Sequence, residues 1–382
     1  MRRPPALWGV LSIAVALALL PAAVNFTFGS AWLRVLDFAL LYILLALGLN
    51  IVVGYAGLLD LGYVAFYAVG AYFYALLSSP HLTTHFPALA ALFPGGLHVP
   101  FWLLLPGGAL LAGAFGVILG APTLRLRGDY LAIVTLGFGE IIRIFLNNLY
   151  SPINITNGAQ GVNQIAGPSV AGIAVDRDLE LFGFVLPSLQ LYYYLFLALV
   201  LLIIFVSLRL ENSRIGRAWV AIREDEVAAK ACGINTRNVK LLAFAMGASF
   251  GGVAGGLFAG FQQFVSPESF QLIDSIMILC MVVLGGMGHI AGVVFGAVVL
   301  TALPELFRDS AGPLQMALFG SVLVDPEALR MLLFGLTLVV VMLFRPAGLW
   351  PEARRRRELA GSGGSGEEAA AATAIAARGG GE

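Results

Sequence analysis

Apolar runs long enough to cross a lipid bilayer recur along nearly the whole chain, and no other feature restricts its possible folds so tightly. Ten such segments are read, at about Ala6–Val24, Val35–Val53, Gly62–Ser79, Phe101–Ala121, Tyr130–Tyr150, Gln190–Leu208, Leu241–Phe264, Leu272–Leu284, Ile290–Leu303 and Leu329–Phe344. A helix crosses the hydrocarbon in about 20 residues, and its backbone groups must be satisfied within the segment because lipid offers no partners. Of 382 residues, 59% are hydrophobic and only 12% charged, where a soluble domain carries about 25%. The expected fold is an all-α polytopic membrane protein with about 8–10 transmembrane helices, some broken or re-entrant. The eighth and ninth segments are short and separated only by GGMGH, so they read either as half-helices or as one long helix.

Basic residues collect in loops on the cytoplasmic side of a membrane. With the N-terminus inside, 17 of the 22 Lys and Arg residues fall on that side, among them Arg125, Arg127, Arg209, Arg214, Arg217, Arg223, Lys230, Arg237 and Lys240. The outside loop 151–189 carries Asp176, Asp178 and Glu180 against one Arg177. Both termini are therefore expected in the cytoplasm. The first segment also resembles a signal peptide, with Arg2 and Arg3 before it and Pro21-Ala22-Ala23 within it. An uncleaved helix is the preferred reading, because further spans follow at once. Residues 1–352 are read as the membrane domain. Residues 353–382, which continue the run Arg354–Arg357 in Gly, Ser, Ala and Glu, have too little apolar surface to offset the entropy of ordering, so they are read as a disordered cytoplasmic tail.

Several classes of chemistry are excluded. Cys232 and Cys280 fit neither a disulfide framework nor a metal-ligand spacing, and His81, His85, His98 and His289 form no cluster. No phosphate-binding Gly-x-x-x-x-Gly-Lys-Ser/Thr loop occurs. The string Gly286–Ala291 echoes a dinucleotide fingerprint but lacks the strand and the distal acid, and small residues for close helix packing account for it. With a net charge of zero, nothing points to nucleic acid.

Three features can carry function. Loop 211–240 mixes arginines, lysines and acids, and Ala218–Cys232 holds good helix formers with Gly233 at a C-cap position. It reads as a short helix at the cytoplasmic face, serving either as a solvated loop or as a docking helix. Glu140 and Arg143 lie three residues apart on one helix face, either as a structural ion pair or as a substrate contact. Asp60 and Asp274 sit near span ends, where water or a helix N-terminus can satisfy them. Asn50–Gly70 places Gly54, Gly57, Gly62 and Gly70 in an apolar setting. Those glycines either break the helix, freeing backbone groups for a polar substrate, or let helices pack closely. Gly62, Ala65, Gly70 and Ala71 recur at the same spacing as Gly288, Ala291, Gly296 and Ala297, a weak internal echo.

Several strings resemble the branched-chain amino-acid ABC permease family. They are GYAGLLDLGYVAFYAVGAY at 54–72, LRLRGDYLAIVTLGFGEIIRIFLNN at 124–148, GRAWVAIREDEVAAKACGIN at 216–235, FVSPESF at 264–270, VVLGGMGHIAG at 282–292 and RPAGLWP at 345–351. The resemblance implies an ABC importer permease fold in a bacterial inner membrane. It also implies a second, homologous permease in a heterodimeric core, two cytoplasmic ATPases and a periplasmic binding protein that docks partly on loop 151–189. ATP would be bound and hydrolysed on the separate ATPases, with no cofactor on this chain. Permeases of this type meet the ATPase through a helix carrying Glu-Ala-Ala, three residues, then Gly. Ala228, Ala229 and Gly233 match, whereas Val227 stands where Glu is expected and Glu226 lies one place earlier. Glu224, Asp225 and Glu226 are thus the candidate acids for a basic ATPase groove. The implied path runs along Asn50, Gly54, Gly57, Asp60, Gly62, Glu140, Arg143, Gly285, Gly286 and Gly288, opened by rocking of the helices around them. Leucine, isoleucine and valine are the expected substrates, with urea, short amides or other amino acids as alternatives. A secondary carrier, using Glu140 or Asp60 for a coupling ion, is the reading from another class; a membrane enzyme comes third.

Overall fold

The computed structural model describes residues 7–93, 97, 99–124, 126, 128–170, 172–181, 184–319 and the single positions 332, 335, 336, 339, 343 and 344. The tail 353–382, most of the tenth expected segment, Arg125 and Arg127 lie outside the described residues. In chain order the helices are α1 (Leu7–Phe28), α2 (Ser30–Leu49), α3 (Val64–Ser78), α4 (His81–His85), α5 (Pro87–Leu92), α6 (Phe101–Thr123), α7 (Asp129–Asn148), α8 (Ser188–Glu211), α9 (Arg214–Glu224), α10 (Glu226–Ala231), α11 (Thr236–Gln262), α12 (Leu272–Gly285) and α13 (Ile290–Phe319). A π-helical stretch, Asn50–Tyr55, continues α2. Between α7 and α8 lie two small antiparallel hairpins, β1 (Ser169–Val170) with β2 (Ile173–Ala174), and β3 (Leu179–Leu181) with β4 (Phe184–Leu186).

Among the described residues, six segments are long and apolar enough to cross a membrane: Ser30–Tyr55, Phe101–Thr123, Ser188–Glu211, Thr236–Gln262, Pro267–Gly285 and Ile290–Ser310. The apolar helix α3 is shorter, at 15 residues. The protein is an all-α polytopic membrane protein, as its apolar runs require.

Helix α11 is the centre of the bundle, packed by α6, α3 and α2. Lipid is as apolar as Leu, so helices in a membrane are held by close approach rather than by expulsion of water. A stripe of glycines on α11 supplies that approach. A Cβ at Gly252 would stand 2.6 Å from both the Ala112 Cβ and the Gly108 carbonyl oxygen of α6, and one at Gly255 would stand 2.6 Å from the Ala71 amide of α3. Tyrosine hydroxyls bond to main-chain carbonyls of α11, Tyr63 to Gly247 at 3.0 Å and, from α8, Tyr192 to Gly260 at 3.0 Å.

Two expectations are corrected. The eighth and ninth segments are not one long helix: Gly286 (φ +110°) and Gly288 (φ +87°) take backbone conformations that favour glycine and turn the chain between α12 and α13. The two helices then pack against each other, with Gly285 so close to Gly292 and Val293 that no side chain fits between them. Nor is Ala218–Cys232 one helix. Asp225 is extended (φ −154°, ψ 111°), and its carboxylate accepts from the Val227 and Ala228 amides at 2.7 and 3.1 Å, ending α9 and capping α10. An Asp side chain that competes for backbone amides in this way favours a helix start over a helix interior.

Candidate functional site

The chain interrupts its own membrane helix at Asn50. The π-helical stretch ends at Tyr55, Gly57 adopts φ +68°, and α3 does not begin until Val64. The glycine-rich stretch singled out in the sequence is therefore a break in the helix, and it is also a close packing site. Asn50 is buried, and its Oδ1 accepts a 2.8 Å hydrogen bond from the Gly288 amide in the α12–α13 turn. A Cβ on Gly54 would run into that same Asn50 oxygen and come within 2.7 Å of the Gly288 nitrogen. Only a residue without a side chain lets the two segments meet there. Asn50 and Gly54 from one part of the chain and Gly285, Gly286 and Gly288 from another, with Asn50 and Gly288 lying 238 positions apart, thus form one junction.

Asp60 and Gly62 form a second point of contact. The buried Asp60 Oδ1 accepts from the Gly62 amide at 2.9 Å, and the Leu61 amide donates to Thr135 Oγ1 of α7 at 3.0 Å. Gly62 lies against the Thr135 main chain, with Gly139 facing it. The cavity beside Asp60, lined by Gly62, Phe66, Thr135 and Phe244 among others, holds about 10 Å³. A cavity of that size has room for a single water at most, so an amino acid does not fit at Asp60 in this conformation.

Glu140 and Arg143 do pair on α7. Arg143 Nη2 and Nε donate to the Glu140 carboxylate at 2.6 and 3.1 Å. The reading from sequence missed the third member, Glu268, which accepts from Arg143 Nη1 at 3.2 Å. It stands in the short 3₁₀ turn Pro267–Ser269 before α12, and no spacing in the sequence ties that turn to α7. All three side chains keep access to the outside of the chain, with exposures of 41% for Glu140, 27% for Arg143 and 57% for Glu268. Their hydrogen bonds join α7 to the turn before α12, whereas those of Asn50 join the helix break to the α12–α13 turn.

The α9–α10 unit is built as a bracket against the bundle. Ser213 caps α9, whose inner face Gly216, Trp219 and Ile222 is buried; Trp219 Nε1 donates to the Val239 carbonyl at 2.7 Å. At the far end Gly233 (φ +83°) closes α10, with the Gly233 amide donating to Lys230 and the Ile234 amide to Ala229, the paired bonds of a Schellman cap. Of the three candidate acids, Asp225 caps α10, and Glu226 turns back to the bundle. Its carboxylate accepts from Lys240 Nζ at 2.8 Å, Lys230 Nζ at 3.1 Å and Thr236 Oγ1 at 3.2 Å. Those lysines hold the Glu226 carboxyl down at about 2, against an ordinary 4.5. Ala229 is buried, Glu224 and Ala228 are exposed, and Val227 shows 69% of its surface. An apolar side chain thus projects from the tip of the bracket.

The bracket reaches the helix break through Arg223. Its Nη1 donates to the Gly54 carbonyl, and its aliphatic stem lies where a Cβ on Gly57 would be, 2.8 Å from the Cγ.

At the opposite end of the bundle, the 151–189 loop is tied down on the turn after α11. Val162 exchanges both backbone hydrogen bonds with Val265, at 2.8 and 3.1 Å, and Tyr74 donates to the Ala166 carbonyl. Asn157 adopts a left-handed conformation (φ 61°) held by Asn154 and by its own bond to the Gly161 carbonyl.

Comparison with known proteins agrees with this architecture. The family described as "Branched-chain amino acid transport system / permease component" matches residues 31–342. The chain is 41% identical, over 90% of its length and 76% of the relative's, to the high-affinity branched-chain amino acid transport system permease protein LivM of Escherichia coli (strain K12). It is 27% identical, over 82% of its length and 91% of the relative's, to a probable branched-chain amino acid transport permease protein LivM of Methanocaldococcus jannaschii. It is also 28% identical, over 81% and 90%, to the corresponding LivH permease protein of E. coli (strain K12). No solved structure matches it. With a match that spans four-fifths of the chain in one continuous block, the protein belongs to the branched-chain amino acid transport permease family.

Proposed function

We propose that this chain is one membrane-spanning permease of an ATP-driven importer that moves branched-chain amino acids into a bacterial cell. The observation that carries the reading is the bracket α9–α10, an exposed helical unit fastened by Arg223 to a break in a membrane helix. A secondary carrier has no use for such a unit. In the proposed assembly two ATPase chains bind ATP and seat against Glu224, Asp225, Val227 and Ala228, and a binding protein delivers substrate to the face carrying loop 151–189. The charge distribution supports that orientation: Arg209, Arg214, Arg217, Arg223, Lys230, Arg237 and Lys240 gather around α9–α10, and Asp176, Asp178 and Glu180 lie in the opposite loop.

The exposed trio Glu140, Arg143 and Glu268 supports a path completed by a second permease. The trio stands beside the turn onto which loop 151–189 is tied and is partly exposed, so this face of α7 is open to a second permease or to arriving substrate. A zwitterionic amino acid presents an ammonium and a carboxylate, and the trio offers both complementary charges.

The test is to tag the chain in its native membrane, solubilise it gently and identify what co-purifies. Two ATPase chains and a second permease are expected with wild type. The double variant Gly233→Pro/Glu226→Arg should lose the ATPases alone, since Pro cannot adopt φ +83° and Arg repels Lys240. Recovery of wild type alone or as a homodimer would refute the importer.

A further inference from the structure

The last carbonyls of any helix lack intrahelical partners, and a cation near them is favoured by the helix dipole. In the π-helical stretch Asn50–Tyr55, the Ile51 and Val52 carbonyls are taken by the Ala56 and Leu58 amides. The Gly54 carbonyl is taken by the guanidinium of Arg223, from 169 positions further along the chain. Two glycines make room for the contacts on either side of this segment. Gly57, in a positive-φ conformation, leaves the space the Arg223 stem fills, and Gly54 leaves the space through which Asn50 reaches Gly288. One short segment is therefore held on one side by the bracket and on the other by the α12–α13 turn. Glu226 meanwhile ties α10 to the start of α11 through Lys240, so the bracket is attached to the bundle at that end as well as through Arg223.

Resting on the importer reading above, we infer that Arg223 is the positioning residue that transmits movement of α9–α10 to the broken helix. It draws Gly54 with it and through Asn50 shifts the α12–α13 turn. Arg223 touches no substrate; it converts displacement of the bracket into displacement of the broken helix and the α12–α13 turn.

The experiment uses the complete importer in proteoliposomes with its binding protein, reading leucine taken up per ATP hydrolysed for wild type, Arg223→Ala, Arg223→Lys and Arg209→Ala. The last removes a cation from the same end of the bundle without touching the contact. Arg223→Ala is expected to assemble and hydrolyse ATP while its uptake per ATP falls about tenfold, within the usual range of coupling between distant sites. Arg223→Lys, which keeps a donor of similar reach, restores part of it, and Arg209→Ala matches wild type. Amide hydrogen exchange over residues 50–58 gives a second readout that a merely structural role would not move. ATP should change the exchange in wild type and Arg223→Lys, and leave it unchanged in Arg223→Ala. Equal uptake per ATP, an equal exchange response in all variants, or failure of Arg223→Ala alone to assemble overturns the assignment. Absence of ATP-driven leucine uptake in wild type would instead remove the importer reading, and this inference with it.

Discussion

At the scale of single residues, the chain spends its few polar side chains on joining segments far apart in sequence. Glu226 is the clearest case. Its carboxyl is held at about 2 by Lys240 and Lys230, below its ordinary 4.5, so the ionised form is the one the fold favours. The stabilisation from this pair is therefore fully present above pH 4.5 and is lost as pH falls toward 2. Glu226→Gln should lower stability by ~1 kcal/mol at pH 7, the scale of a partly exposed pair. Thermal denaturation of the purified chain should show that difference constant from pH 8 to 5 and shrinking below pH 4. Asn50 acts in the interior, where Gly288 depends on its oxygen. Asn50→Ala leaves a buried N–H without a partner at a cost of about 1–3 kcal/mol, which the same measurement would show as a lower midpoint. An unchanged midpoint would mean the Gly288 amide has another acceptor.

At the scale of elements, the helices are joined by what their glycines omit. Gly252 on α11 faces the Ala112 side chain and the Gly108 carbonyl of α6, so a larger residue must drive the two helices apart. Gly252→Leu should cost about 3 kcal/mol or more by overpacking and be recovered poorly from membranes. Gly137 on α7 has open space where its Cβ would be. Gly137→Ala should therefore leave stability unchanged or raise it by about 0.5–1 kcal/mol through helix propensity. Comparing recovery and thermal midpoint of the two variants tests whether close approach is what holds this bundle. The bracket follows a different logic. Short and rich in charged residues, α9 and α10 rely on caps at Ser213, Asp225 and Gly233 and on the buried Trp219.

At the scale of the whole molecule, polar connections divide the protein into two working ends and one exposed seam. One end carries α9–α10 with Arg223 on the helix break; the other carries loop 151–189 locked onto Val265. Beside the loop-bearing end Arg143 bonds both Glu140 and Glu268 and so ties α7 to the turn before α12. If this seam faces the path, Arg143→Met should reduce uptake in the assembled importer by about tenfold or more, the scale of one charge-assisted hydrogen bond. Co-purification of the partners should persist. Uptake equal to wild type would show that the trio is only a strut between helices. Arg143→Lys is not expected to substitute fully, because an ammonium cannot hold both carboxylates in the fixed fork of a guanidinium.

Much of this was readable from residue order, because lipid imposes a local rule. Every spanning segment must be apolar and must satisfy its own backbone, so the all-α polytopic class and its long apolar helices follow from short stretches of chain, as does the C-cap at Gly233. The glycines at 54, 57 and 62 left two readings open, a break or close packing, and the chain uses them for both. What no local rule could supply was the pairing of segments remote in sequence. Glu268 joins Arg143 across 125 positions, Arg223 reaches Gly54 across 169, and Asn50 meets Gly288 across 238. Each contact has a short polar reach, so it exists only once its two elements have come together: α7 with the turn before α12, α9 with the helix break, and the helix break with the α12–α13 turn.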